Sequence, residues 1–579
     1  MDEQTGYASE SVAEAAMSTP TDEPTRFLAA AVHLDDALAD ALVEEYLAEP
    51  KRAVPPSPGV DAVTVLREAA AAQWRRRTIN LVLVATLVLT TVFSPILVLV
   101  WLIAGLTWRL CAAIVARLAQ GRGGSNWFLA DRHRQWWVTA LMWSALTVLS
   151  AALPSLAMES MGEPILTTPD SALSTVFMLI TLALVTAMLC LLIARHYLPW
   201  QVATTWYSYG RYQPDSPPRE AAVTASAPYA DRLHRITQDQ LRRAQDSSGE
   251  VVVYRGHKPF VGAGARVRSW SSALELYASS VTTESAEEPR AAAPVPSFEP
   301  RELQEFVTAD LTSLRRAPTL TPGWRFADLG VTSWALLSPA DLLHNPSGRA
   351  LLGRLDAGSE PELNAEDWAA LSNESPEWLR YYRCFRLEGW ARQLAVSGFL
   401  HVGCEERMLV LEWHGFVLAP IAPEFRRVDA PPSMLELRTL WAAAGDLALL
   451  PTSVPGRVAD VIRGLWARRR TGGTWTTPDQ AEQVFGAAAS IRELGAGGEL
   501  ANLFQETDCD RYLKILEQRT LDSVHRFLME KGIAAKGFSD MVKQINNSTV
   551  INNSNIIAGN IGGMSNSGSV GAGGSTSTN

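Results

Sequence analysis

The chain has 579 residues, 47% of them hydrophobic and 19% charged, with a formal net charge of −10. That length exceeds one core, so two or more domains are expected beside any membrane part. Residues 1–74 hold fourteen Asp/Glu against four Lys/Arg. The remainder is therefore neutral, which argues against nucleic-acid binding, because phosphate affinity needs a surplus of cations.

Residues 1–25 are acidic and polar and read as disordered, with no cleavable signal. Residues 26–77 read as a cytoplasmic helical segment. Leu34, Leu38, Leu42 and Tyr46 recur four apart, on one face of a helix ended at Pro50. The acidic residues around them read as a solvated face. "AVPPSPG" (53–59) reads as a proline linker, and "DAVTVLREAAAAQWRRR" as a second helix leading into the membrane.

Three apolar runs follow: Ile79–Trp108, Trp136–Met158 and Ala172–Ala194. The last two carry no charge and match a hydrocarbon core of about 30 Å at about 1.5 Å per residue. The first is too long for one upright span. Arg75, Arg76 and Arg77 precede it, and the loop 119–135 is basic, so both flanks are expected on the cytoplasmic side. The Ser94–Pro95 step supplies a break, because proline removes a helix hydrogen bond. The expectation for 78–118 is a membrane hairpin, with a single long tilted span as the rival. Transmembrane helices at 136–158 and 172–195, joined by the acidic external loop 159–171, then leave both termini cytoplasmic in a multi-pass protein of a bacterial cell membrane. The bacterial source is suggested by abundant Ala and by only six lysines among 51 basic residues. Span interiors lack Asp, Glu, Lys and His, so transport is the least favoured role.

Residues 200–470 read as a cytoplasmic α+β domain with a largely antiparallel sheet. Strand patterns occupy 251–255, 266–277, 324–336, 381–390, 394–403 and 407–419, with a helix at 300–315. Residues 471–507 read as a linker. At 508–532 an amphipathic helix carries a stripe suited to a coiled-coil seam or to docking on the domain. Residues 545–579 form an Asn/Ser/Gly-rich tail whose first part, 545–562, repeats "INNSTV" and "INNSNI". A homo-oligomer through 508–532 and 545–562 is one expectation; the bilayer and an unknown protein partner are others.

Chemistry-bearing motifs are sparse. The stretch "GEVVVYRGHKPFVGAG" (249–264) opens from a strand into a glycine-rich loop, and Arg255, Gly256, Lys258, Gly262 and Gly264 are its candidate anion-binding residues. It lacks both the P-loop order and the GxGxxG spacing, and no helix follows to hold a phosphate. Its glycines therefore read as shaping a turn. Cys384, His401, Cys404 and His414 can ligate metals, but HxxC at 401–404 is one half of a zinc pattern without a second pair. The five cysteines show no disulfide framework, as suits a reducing cytoplasm. No cofactor and no catalytic residue are expected, and the balance leans away from an enzyme. A binding or scaffold role leads; a membrane-bound nucleotide or anion sensor, or an enzyme, using loop 256–264 is the alternative.

The order of "VVVYRGHKPFVGAG", "VLAPIAPEFRRVD" and "YLKILEQRTLDSVHRFL" resembles a group of uncharacterised actinobacterial integral membrane proteins. That resemblance implies the same architecture and assigns no reaction.

Overall fold

The computed structural model describes residues 23–120 and 170–546, apart from 215, 246–248, 279–295, 318–319, 344, 347, 358–361 and 470–475. The expected N-terminal disorder before residue 23, the apolar run 136–158 and the tail beyond 546 lie outside the described residues. Two compact units share the chain. One gathers residues up to Ala69, Tyr212–Arg427 and those from Arg470 onward; the other joins Ala70–Arg211 to Val428–Arg469.

In chain order the helices used below are α1 (Glu23–Leu34), α2 (Asp36–Leu42), α3 (Ala62–Phe93), α4 (Pro95–Gln120), α5 (Asp170–Trp206), α6 (Ala230–Gln245) and α7 (Pro300–Ser313). They continue with α8 (Leu435–Ala448), α9 (Leu450–Arg469), α10 (Pro478–Phe485), α11 (Leu503–Glu530) and α12 (Phe538–Asn546). The strands are β1 (Gly249–Val253), β2 (Ala265–Ala278), β3 (Gly330–Leu337), β4 (Leu379–Gly389), β5 (Leu394–Glu405), β6 (Met408–Leu418) and β7 (Ile533–Ala535).

The first unit is α+β. Its seven-stranded sheet runs β1-β3-β4-β5-β6-β2-β7. Among the described strands β1 and β3 pair in parallel and the other pairs are antiparallel. Successive side chains alternate between faces, so β4, β5 and β6 send Phe385, Leu387, Val396, Leu400, Leu411 and Trp413 to one side. There they meet Leu303, Val307 and Leu311 of α7 and Leu513, Leu516, Val524 and Phe527 of α11 in the main core. The stripe of α11 is thus buried in its own unit and offers no free coiled-coil seam.

Four local expectations are corrected. The strand at 324–336 begins only at Gly330, because Gly323 and Trp324 hold positive φ and the chain coils as a 3₁₀ segment to Asp328. The single helix at 26–50 is divided, since the Asp35 side chain caps a new helix by accepting from the Ala37 and Leu38 amides. The proline linker is a buried strap: Ala53 donates to the Phe485 carbonyl at 3.2 Å, and Arg243 donates to the Val54 carbonyl at 2.7 Å. The linker 471–507 instead builds α10 and a short capped helix, Ile491–Leu494, within the packed unit.

The second unit is helical. Among the described residues, three helices are long and apolar enough to cross a membrane by length and composition: Ala62–Phe93, Pro95–Ile114 and Thr175–Trp206. The long first run is divided at Ser94, and the chain doubles back there. Asn80 Oδ1 accepts from Arg457 Nη1 at 2.8 Å, and a Cβ on Gly105 would lie 2.8 Å from Thr452. Positions 452 and 457 are about 7.5 Å apart along α9, whereas an unbroken helix would part 80 from 105 by about 37 Å. Helices α8 and α9, read from sequence as part of the α+β domain, pack with this unit instead. Ala443, Leu447 and Leu450 share a core with Ile79, Leu83, Leu87, Trp101, Met188 and Leu192.

Candidate functional site

Strand β1 delivers the glycine-rich loop over one end of the sheet. Gly256, Gly262 and Gly264 all hold positive φ, at 76°, 97° and 92°. Gly262 lies against the carbonyl of Pro56, and a Cβ on Gly264 would fall 2.5 Å from the Val417 carbonyl. Both glycines are therefore required by close backbone approach. The loop does cradle an anion, and the anion is its own chain's Glu493. Gly264 N donates to Glu493 Oε1 at 2.9 Å and Ser490 N to Oε2 at 2.7 Å, with Gly262 N contributing. Burial pushes the Glu493 carboxyl up, and these amide bonds pull it back.

The rest of the loop is similarly engaged. Arg255 pairs with Glu45 at 3.1 Å, and Glu45 also holds Arg52 at 2.8 Å. Tyr46 donates to the Ala489 carbonyl. Fully buried Arg492 donates to the carbonyls of Gln393 at 2.6 Å and Ala419 at 2.7 Å, and burial lowers its guanidinium to about 9. Lys258 is exposed on the outer edge of the turn. The amides that would face a phosphate are occupied by a side chain, which supports the turn-shaping reading of the glycines.

The sheet's second face is covered at one end and open at the other. Phe260, Val261 and Ala263 fold from the loop onto Val252, Trp334, Leu336, Cys384, Phe399 and Phe416. Beyond Phe260 the register builds polar cross-strand rows. His401 pairs with Glu412, and Glu412 with Ser271; Phe399 pairs with His414, and His414 with Ser269. Tyr382 adjoins both imidazoles, with ring centroids 5.5 Å from His401 and 5.8 Å from His414. The next row adds Arg266 beside Phe416.

These groups have defined states. Tyr382 donates its hydroxyl to Glu412 Oε2 at 3.0 Å. Burial and the Glu412 charge push the phenol far up, so it acts as a donor and not a nucleophile. His401 Nδ1 donates to the Tyr381 carbonyl at 2.9 Å. Burial lowers His414, aided by Arg266 and His401 and opposed by Glu412, so its ring is neutral near pH 7. Its Nδ1 is buried without a hydrogen-bond partner. Ser269 and Ser271 are exposed beside it. The surface thus offers two imidazoles, a carboxylate, hydroxyls and the flanking Arg266 against an aromatic wall, a set suited to hydrogen-bonded recognition.

Of the metal-capable residues, Cys384, His401 and His414 share this face, while Cys404 points to the main core. Cys384 and His414 lie two strands apart, about 9.5 Å at the usual strand spacing. Burial raises the Cys384 thiol to about 11, away from the thiolate a metal needs. Among the described residues no group of three His, Cys, Asp or Glu could hold a metal ion. The sequence reading missed Tyr382, Glu412 and Glu493. Strand alternation would have put Glu412 beside the histidines once the two-residue turn Glu406–Arg407 set the β5–β6 register, whereas Tyr382 also depends on the β4–β5 register.

A family model described as an AbeC-like domain matches residues 269–564, just over half of the chain. The match takes in the histidine rows and begins after the glycine loop. No curated protein and no solved structure matches the chain.

Proposed function

The chain belongs to the AbeC-like domain family, and we propose that it is a membrane-anchored binding protein that presents a polar sheet face to a partner. The observation that carries this reading is the open face itself. Sheet faces are ordinarily covered or uniformly solvated. Here Tyr382, His401, Glu412 and His414 form a half-buried, hydrogen-bonded cluster that ends at a solvent edge. Three apolar helices support the anchor. Arg75, Arg76 and Arg77 before Ile79 favour a cytoplasmic position for that end and for the α+β unit. The occupied amide cradle of Gly262 and Gly264 weighs against nucleotide binding there. A polar partner surface or ligand with anionic and hydrogen-bonding groups fits the face best, because Arg266 borders it.

The test is site-specific photo-crosslinking of the full chain in native membranes. A benzophenone side chain at Ser271 samples the open face, and one at exposed Glu366 serves as reference. The expected result is a defined adduct at 271 that is lost with His401→Ala or Glu412→Ala and absent at 366. The same products from both positions, or none sensitive to the two substitutions, would remove the open face as the binding surface.

A further inference from the structure

Helices α8 and α9 carry charges that hydropathy reads as soluble, yet they pack among the apolar helices of the second unit. We propose that α8 and α9 form a re-entrant hairpin that dips into the bilayer from the side of Arg76 and rests its outer stripes on the lipid headgroup layer. This rests on the membrane-anchor reading above.

The first argument is depth. The hairpin's charged residues gather at the ends of the apolar runs. Asp460 meets Arg76 at 3.1 Å and Asn80 at 2.9 Å, and Asp446 meets His196 at 3.1 Å. Between Asp446 and Arg457 the tip is "LALLPTSVPG", without a charge. Its Leu447 and Leu450 share one core with Leu87 and Trp101, and Leu87 lies eight residues beyond Ile79, about 12 Å further along α3. That is a substantial part of a hydrocarbon layer of about 30 Å.

The second argument is backbone satisfaction. Irregular chain at membrane depth is tolerated only where its polar groups find partners in protein. At the tip, the Ala448 carbonyl accepts from Trp101 Nε1 at 2.8 Å. The Leu449 carbonyl takes the Thr452 hydroxyl at 2.7 Å, and the Leu450 carbonyl takes the Ser453 hydroxyl at 2.8 Å. Thr452 also fits against Gly105, where no side chain intervenes.

The third argument is the outer surface. Leu437, Leu440 and Trp441 form an exposed i, i+3, i+4 stripe on α8, and Ile462, Leu465 and Trp466 repeat it on α9. Trp441 precedes Asp446 by about 7.5 Å of helix, and Trp466 follows Asp460 by about 9 Å. The headgroup layer is about 5–8 Å thick on each side, and tryptophan concentrates there. Lipid is the occupant because these stripes lie on helices that share a core with α3, whose own exposed residues include Leu81, Val88 and Leu89.

The experiment is nitroxide labelling of the full chain in proteoliposomes, with the exposed Cys111 and Cys190 replaced by Ser. Single labels go at Leu440, Leu465 and the tip residue Leu449, with Leu89 of α3 and Met408 of the sheet as references. Collision with oxygen is compared with collision with a nickel chelate, which stays in water. The expected order of nickel exclusion is Leu89 and Leu449, then Leu440 and Leu465, then Met408, with several-fold exclusion at 440 and 465 relative to 408. Nickel access at Leu440 and Leu465 equal to that at Met408 would overturn the hairpin while leaving the anchor intact. Nickel access at Leu89 as well would overturn both. Shielding of 440 and 465 from both reagents, with spin–spin broadening, would assign the stripes to a second copy and overturn the lipid reading.

Discussion

Replacing Gly264 and Gly256 separately by alanine distinguishes a backbone-shaping loop from a ligand cradle. Both hold positive φ, at 92° and 76°, so each alanine pays about 1–2 kcal/mol for the left-handed conformation. Their surroundings differ. At Gly256 nothing lies within 4 Å of the added carbon, but at Gly264 it meets the Val417 carbonyl at 2.5 Å and Leu418 Cα at 2.7 Å. Those neighbours are strand backbone and cannot swing away, so overpacking adds about 1–3 kcal/mol. The Gly264 amide would also shift from Glu493, at a further cost of about 1–2 kcal/mol for a buried acceptor left short of a donor. The expected totals are about 1–2 kcal/mol for Gly256→Ala and about 3–7 kcal/mol for Gly264→Ala. For a unit of this size each kcal/mol shifts the midpoint by roughly 1–2 °C. Reactivity of the buried thiols of Cys384 and Cys509 during a thermal ramp reports on this unit alone once Cys111 and Cys190 are replaced by Ser. Equal shifts for the two variants, or the larger one at Gly256, would refute the packing argument.

The remaining expectations follow from ion pairs and titrating groups. Buried Glu68 accepts from Arg219 at 2.5 Å and pairs with His33 at 2.8 Å, ahead of the apolar run that starts at Ile79. Burial raises its carboxyl, but the bonds to His33 and Arg219 prevail and hold it at about 2 against an ordinary 4.5. Its stabilisation, on the order of 3 kcal/mol, is therefore whole above pH 4.5 and lost as pH falls through 2; Glu68→Gln should flatten that acid limb in a thermal-melt series, and an unchanged limb would discount the network. Asp310 binds the Ser523 hydroxyl and pairs with Arg519 at 2.8 Å and Arg526 at 2.5 Å, tying α7 to α11. Asp310→Asn should expose the Cys509 thiol at lower temperature, by under about 1 kcal/mol per pair lost at so open a site; unchanged thiol exposure would count against that tie. Because Arg266 helps depress His414, Arg266→Gln should raise the His414 midpoint in a histidine-selective NMR titration, and a fall would contradict the assigned proximity.

Strand alternation carried much of the fold. The patterns at 251–255, 266–277, 381–390, 394–403 and 407–419 became β1, β2, β4, β5 and β6 with ends shifted by a residue or two, because each buries at least one face. Alternation cannot reveal a positive φ at Trp324, nor a strap whose role is to lay the carbonyls of Val54 and Pro56 against the sheet unit. The segment around Ile491 reads as polar because its packing residues include Arg492, which is buried by bonding to the carbonyls of Gln393 and Ala419 beside the ends of β5 and β6. The histidines were visible as residue types; their juxtaposition with Tyr382 and Glu412 depends on register between three strands. Helices α8 and α9 escaped because Asp446, Arg457 and Asp460 interrupt their apolar runs, although those charges pair with residues at the ends of other apolar helices.

The interleaving of the two units bears on how the protein can be dissected. The chain passes between them at four places: after Ala69, Arg211, Arg427 and Arg469. A fragment of residues 200–545 would therefore lack α1, α2 and the proline strap. It would leave Gly262 without Pro56, Arg255 without Glu45, and the Ala489 carbonyl without Tyr46. The same fragment would retain Leu440, Trp441, Leu465 and Trp466 on helices cut off from α3, α4 and α5. Each defect adds apolar surface or orphaned polar groups, and the second would promote association whatever the sheet unit does. Ligand binding measured on such a fragment would test the cut. The α+β unit is three chain segments folded together, and its open face is meaningful only with the N-terminal segment in place.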